Sequence, residues 1–288
     1  MRKNRDPINK KVMLAPFSGW MVLFVLVPIA LVVYYAFSNA DRQFTLSNLH
    51  WMYEYRGTLW LSVKLSLIAT AICLLLAYPI AYAMSRASEK VQRNATLFIM
   101  LPMWMNFLVR TYAWMTILED TGLVNNALRG IAGWFGKEFD GLSLINNHGA
   151  IVLGMVYNFL PYMILPIYTA LTKISYSLIE AARDLGANGR QVFGKVILPM
   201  SVPGIISGVT MVFIPSISTF IISKILGGGK DFLIGDLIED YFLGNSGVVN
   251  YNIGAALSLI IMVMILVATF MMNHFDKDAK TSGGGSVI

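Results

Sequence analysis

Cysteine is nearly absent from this 288-residue chain, where Cys73 stands alone inside an apolar run. A lone thiol closes no internal disulfide and builds no cysteine metal cluster. Histidine is almost as scarce. His50, His148 and His274 are isolated and lack ligand spacing, so no metal site is expected. Charge is the third shortage: 13% of residues are charged, against about 25% in a soluble domain. No Gly-x-Ser-x-Gly segment and no paired histidines occur, so no catalytic residue is nominated. Gly227-Gly228-Gly229-Lys230-Asp231 superficially suggests a phosphate loop. It fails, because Lys224 replaces the first glycine and Asp231 replaces the magnesium-binding hydroxyl. The chain has no nucleotide-hydrolysis motif of its own.

What is present is hydrophobic sequence, at 56% of residues and a mean hydropathy of +0.63. It is gathered into six apolar runs, roughly 14–37, 59–84, 96–118, 150–171, 202–225 and 254–272. Runs of this length predict an all-α polytopic membrane protein with six transmembrane helices. The first run is too long for a signal-peptide core and has no clear cleavage site, so it reads as an uncleaved span. Lys and Arg concentrate in residues 2–11, 85–95 and 172–200. Asp and Glu concentrate in the alternate loops. The net charge of +6 therefore follows membrane orientation, with both termini cytoplasmic, and implies no nucleic-acid partner. The expected organisation is a cytoplasmic segment over 1–13, a six-span domain over 14–275 with a cytoplasmic loop at 172–200, and a flexible tail over 276–288.

The loop at 172–200 is a polar island between apolar runs. It reads as two short helices broken at Gly186, a residue suited to a left-handed helix end. Leu178, Ala181, Ala182 and Leu185 share one face of the first helix, and Glu180, Arg183 and Asp184 another. Asn188 followed by Gln191 predicts a capping box. Pro199 and Pro203 are expected to close the second helix. Locally, the island is either a linker or a docking element that admits another protein close to its small residues.

Glu180-Ala181-Ala182, three residues, Gly186, nine residues, Val196, one residue, then Leu198-Pro199 resembles the EAA loop of permease subunits of bacterial ABC importers. The one departure is Val196, at a position usually Ile. The resemblance implies a type I ABC importer permease fold in a bacterial inner membrane. It assigns coupling to a cytoplasmic ATPase to Glu180, Ala181, Ala182 and Gly186, with Arg183 and Asp184 as flanking contacts. It also implies a second permease subunit, two ATP-binding subunits and an extracellular binding protein. No cofactor is bound by this chain; ATP and magnesium sit on the partner ATPase.

A narrower group, the spermidine/putrescine permeases of the PotB type, is similar around 102–114, 160–166 and 227–235. That resemblance implies a polyamine cargo, a flexible cation with methylene stretches. Aromatic faces and acidic or amide oxygens suit such a ligand. The candidates are Trp104, Asn106, Tyr112, Trp114, Tyr157, Asn158 and Tyr162, with Asp231, Asp236, Glu239 and Asp240 near the outer mouth. Arg110 is the awkward one, a cation within a span. It is expected to pair with a carboxylate or cap carbonyls, and so to shape the gate. A permease for another small solute, an ATPase-independent channel and a membrane enzyme are the competing readings.

Overall fold

The apolar runs form helices because in hydrocarbon each backbone N–H and C=O must bond within its own segment. The computed structural model describes residues 15–39, 41–136, 138–229, 232–244, 247 and 249–283. At 273 and 275–283 it describes the backbone only. The segment 1–13, Asp231 and residues 284–288 lie outside the described residues. The described chain is nearly all helical, with one isolated antiparallel bridge, Ser38 to Phe44.

Among the described residues, five helices are long and apolar enough to cross a membrane. They are α1 (Ala15–Ala36), α2 (Arg56–Ser85), α6 (His148–Thr172), α8 (Gly189–Ile217) and the first part of α11 (Tyr251–Gly283). Between them stand α3 (Glu89–Trp104), α4 (Phe107–Leu118), α5 (Leu123–Trp134), α7 (Tyr176–Asp184), α9 (Ile221–Leu226) and α10 (Ile234–Leu243).

The third apolar run differs from expectation: it is two helices, α3 and α4, meeting at Met105 and Asn106 in extended conformations. The fifth run differs too. Its helix starts early, at Gly189, and stops at Ile217 before α9 resumes. Pro199 and Pro203 do not end it. A wider turn over Phe193–Ile197 directly precedes Pro199, so the N–H that proline lacks is absorbed by a local change of helical pitch.

The chain divides into two units, one from residues 1–56 and 237–263, the other from 57–236 and 264–288. In the first, the last carbonyls of α1 have no intrahelical donors. Side-chain amides supply them. Asn48 Nδ2 donates to Ala36 O at 3.1 Å, and Asn252 Nδ2 donates to Tyr35 O at 3.0 Å. Ala36, Ala255 and Ala256 form a small buried cluster. The Tyr55 and Tyr241 hydroxyls meet at 2.6 Å. Burial, then this contact, pushes the Tyr241 phenol above its ordinary range.

The second unit holds the main core. Small residues of α2 (Ala69, Cys73, Ala77 and Ala81) form its buried stripe. α6 and α8 pack backbone to backbone: a Cβ on Gly204 would lie 2.8 Å from Pro166 O, and one on Gly208 2.7 Å from Met163 Sδ. Small residues four apart permit such an approach in a membrane, where packing rather than hydrophobicity joins helices. The glycines that imitated a phosphate loop end α9 instead. Gly227 N donates to Ser223 O at 2.8 Å, and Gly228 takes φ +65° against Asn146.

Candidate functional site

Two groups of residues stand out, and the Glu180–Pro199 element is the better built. α7 ends in a paired-turn cap. Gly186 has φ +84°; its N–H bonds Arg183 O at 2.8 Å, and Ala187 N bonds Ala182 O at 3.1 Å. Glycine takes this left-handed position without a Cβ penalty. The capping box follows as expected. Asn188 Oδ1 accepts from Gln191 N at 3.0 Å, and Gln191 Oε1 accepts from Asn188 N at 2.9 Å. Phe193 then sets its ring edge-on to Tyr78 and Tyr82, at 5.8 and 5.9 Å. The start of α8 is thereby anchored to the end of α2.

α7 has one covered side and one open side. Ile179 is buried, Ala182 packs on the core, and Leu178 and Leu185 point outward, Leu185 with 90% of its surface exposed. The stripe of Leu178, Ala181, Ala182 and Leu185 is split: Ala182 is partly covered, and the other three lie on the outer surface near Glu180 and Asp184. Glu180, Arg183 and Asp184 make no ion pair or side-chain hydrogen bond to another described residue. A capped, anchored helix pair with an unpartnered surface of small, apolar and charged residues is suited to receive another protein.

The second group surrounds the break between α3 and α4. Asn106 caps α4, its Oδ1 accepting from Leu108 N at 2.9 Å and Val109 N at 3.3 Å. Broken helices at membrane depth occur where the backbone lines a cavity or lies within protein. Trp114, two turns into α4, meets Tyr157 of α6 edge-on at 5.2 Å. Asn158 beside it is buried; its Nδ2 donates to Gly154 O at 2.9 Å, while Oδ1 has no partner. Trp104 and Tyr112 are exposed. Tyr162 is apart, lining a cavity of about 630 Å3 with Thr169, Pro203 and Ser207.

Two expectations change. Arg110 is only 7% exposed, yet its Nε and Nη1 have no hydrogen-bond partner among the described residues. Neither a carboxylate nor a carbonyl among the described residues bonds its side chain, and the guanidinium lies 5.9 Å from the Phe107 ring. Asp236 is not at an exposed mouth. It is buried, accepting from Ser223 Oγ at 2.9 Å and Leu233 N at 2.7 Å, and so caps the start of α10. Glu239 is half-buried in the other unit, and Asp231 lies outside the described residues. Sequence reasoning missed Arg86. Its place in a basic stretch marked it only as an orientation charge, whereas its Nε and Nη2 are buried with no hydrogen-bond partner among the described residues.

Comparison with known proteins bears on the whole chain. Residues 77–281 match the family of binding-protein-dependent transport system inner membrane components. The spermidine/putrescine transport system permease protein PotB of Haemophilus influenzae is 35% identical over 276 residues, 93% of this chain and 94% of that one. PotB of Escherichia coli is 33% identical over 88% of this chain and 92% of its own length. The inner membrane ABC transporter permease protein YdcU of E. coli is 32% identical over 72% of this chain and 66% of its own. Among solved structures, a bacterial ABC transporter that imports the acidic polysaccharide alginate superposes with TM-score 0.71 at 19% identity. It covers 93% of this chain and 94% of that one. The MetNI methionine ABC transporter superposes at 0.58 and 15% identity, over 79% and 97%. These two likenesses concern the fold. The fold, the Glu180–Pro199 element and the length of the family match agree: this chain belongs to the family of binding-protein-dependent transport system inner membrane components.

Proposed function

We propose that this chain is one of two membrane-spanning subunits of an ATP-driven importer of polyamines. The observation that carries the reading is near-full-length similarity, in both directions, to permeases named for spermidine and putrescine. In this reading the chain catalyses nothing. A second permease subunit completes the pathway, two ATP-binding subunits dock on the Glu180–Pro199 element, and an extracellular binding protein delivers the cargo. ATP and magnesium belong to the ATP-binding subunits.

The element suits a lever. A coupling part needs rigidity and different contacts in the two transport states. Its caps and the Phe193 anchor supply the first, and its outer face is free for the second. For the cargo, Trp114 and Tyr157 offer aromatic faces to ammonium groups, and Asn158 Oδ1, buried beside Tyr157, is an amide acceptor with no donor among the described residues. Arg110, one turn before Trp114, would repel a polyamine, so it serves as a barrier rather than a binding group. The buried, unpaired Arg110 also favours a second reading, a permease for a small anion.

Uptake of radiolabelled spermidine and putrescine by the assembled complex separates these readings. Polyamine uptake that needs the ATP-binding subunits, and that falls at least tenfold in Trp114→Ala, is expected. Failure to carry either polyamine would refute the cargo. Uptake without any ATP-binding subunit would refute the coupling.

A further inference from the structure

Behind the outer face of α7 lies a cavity of about 260 Å3, lined by Tyr82, Arg86, Tyr176, Ile179, Arg183 and Val192, with Gly189 and Ile197. Two of its eight lining residues are arginines and none is acidic. Arg86 stands 5.7 Å from the Tyr82 ring. That contact eases its charge but occupies none of its in-plane donors, and Nε and Nη2 are buried with no hydrogen-bond partner among the described residues. A guanidinium cannot escape by losing its proton. Buried charged donors left unmade are costly and are rare in folded proteins. Arg183 approaches the same space and makes no ion pair with a described residue.

A cavity with two planar forks and no counter-charge is complementary to an oxyanion, and the fork geometry matches phosphate. Its volume lies below the roughly 300–1,000 Å3 of pockets that enclose a whole small molecule, which suits a headgroup. Helix geometry indicates the source. Tyr176, Ile179 and Arg183 line the cavity, whereas Ala181 and Leu185 lie across the helix from them. A protein that contacts Ala181 and Leu185 is separated from the cavity by α7 itself. Arg86 follows directly on the last turn of α2, where a spanning helix leaves the hydrocarbon and phospholipid phosphates begin.

We propose that the Arg86–Arg183 cavity binds a phosphate group, supplied by the headgroup of an anionic phospholipid. The bound phosphate would tie the end of α2 to the inner face of α7, so lipid composition would set how stiffly the docking element is held. Only the choice of the cytoplasmic leaflet rests on the topology under Proposed function. The phosphate chemistry does not.

Native mass spectrometry of the full chain in detergent tests this without reference to sidedness. The probes are dioctanoyl phosphatidylglycerol, dioctanoylglycerol, which lacks phosphate, and inorganic phosphate. The expected result is a phosphatidylglycerol adduct weakened by about tenfold or more in both Arg86→Gln and Arg183→Gln, retained in Lys173→Gln, and not formed by dioctanoylglycerol. Should Arg86→Gln fail to fold, Arg183→Gln, exposed on α7, carries the test. Equal phosphatidylglycerol binding by wild type and both variants would overturn the proposal. Arginine-dependent binding of inorganic phosphate without phosphatidylglycerol would reassign the site to the free ion and overturn the lipid source.

Discussion

Position 186 shows how much can rest on one residue. Gly186 holds φ +84° in open space, with no atom within 4 Å of where a Cβ would stand. Substitution there meets backbone strain and no clash. Gly186→Ala should cost about 1–2 kcal/mol at this turn and displace the α7 cap. The expected readout is a partial loss of transport-coupled ATP hydrolysis with the chain still folded. Gly194→Ala, also in open space but within the α8 helix and without a left-handed φ, should leave coupling intact. Leu185→Asp probes the outer face separately. Leu185 makes little contact within this chain, so the thermal midpoint should hold while co-purification of the ATP-binding subunit falls. Retained co-purification would remove Leu185 from the docking face. The glycine, the capping box and the Glu-Ala-Ala spacing were all legible in the sequence, because caps are local. The direction in which Leu178 and Leu185 point was not. Helical spacing relates residues to one another but does not say which stripe the rest of the fold covers.

At the scale of elements, hydrophobic length found the spans and missed their interruptions. Residues 96–118 read as one run because apolar content is insensitive to a two-residue change of backbone. The break is made by Asn106, whose side chain satisfies two amides at the start of α4. Asn106→Ala should lose about 0.5–2 kcal/mol of capping. If the break serves the pathway, uptake should fall more than the thermal midpoint does. The fifth run carries the opposite lesson: Pro199 and Pro203 look like terminators, yet the helix continues through both because a wider turn absorbs the first. The α6–α8 contact gives an element-scale prediction. Gly204→Val would press a side chain into Ala170 and the Pro166 carbonyl. It should destabilise the detergent-solubilised chain by about 1–3 kcal/mol, seen as a lower thermal midpoint.

For the whole molecule, the distribution of Lys and Arg predicts that α5 and α7 lie on opposite sides of the membrane. The structure provides convenient reporters. Trp134 and Leu185 are each 90% exposed, while Cys73, the one native thiol, is fully buried. A membrane-impermeant maleimide applied to intact cells should label Trp134→Cys and spare Leu185→Cys, which should label only after lysis. The reverse pattern would invert the topology.

By itself, the sequence determined that this is a helical membrane protein, and it located the capped helix pair at Glu180–Pro199. Hydrophobic run length, charge asymmetry and capping chemistry act over a few residues or along one segment, so they are written in order along the chain. What only the tertiary structure decided depends on residues far apart in that order. It turned Asp236 into a buried cap, buried Arg110 and the Nε and Nη2 of Arg86 without hydrogen-bond partners among the described residues, and placed Arg183 beside Arg86 around one cavity. Burial and pairing are properties of a side chain's surroundings, and those surroundings exist only once helices distant in sequence have packed.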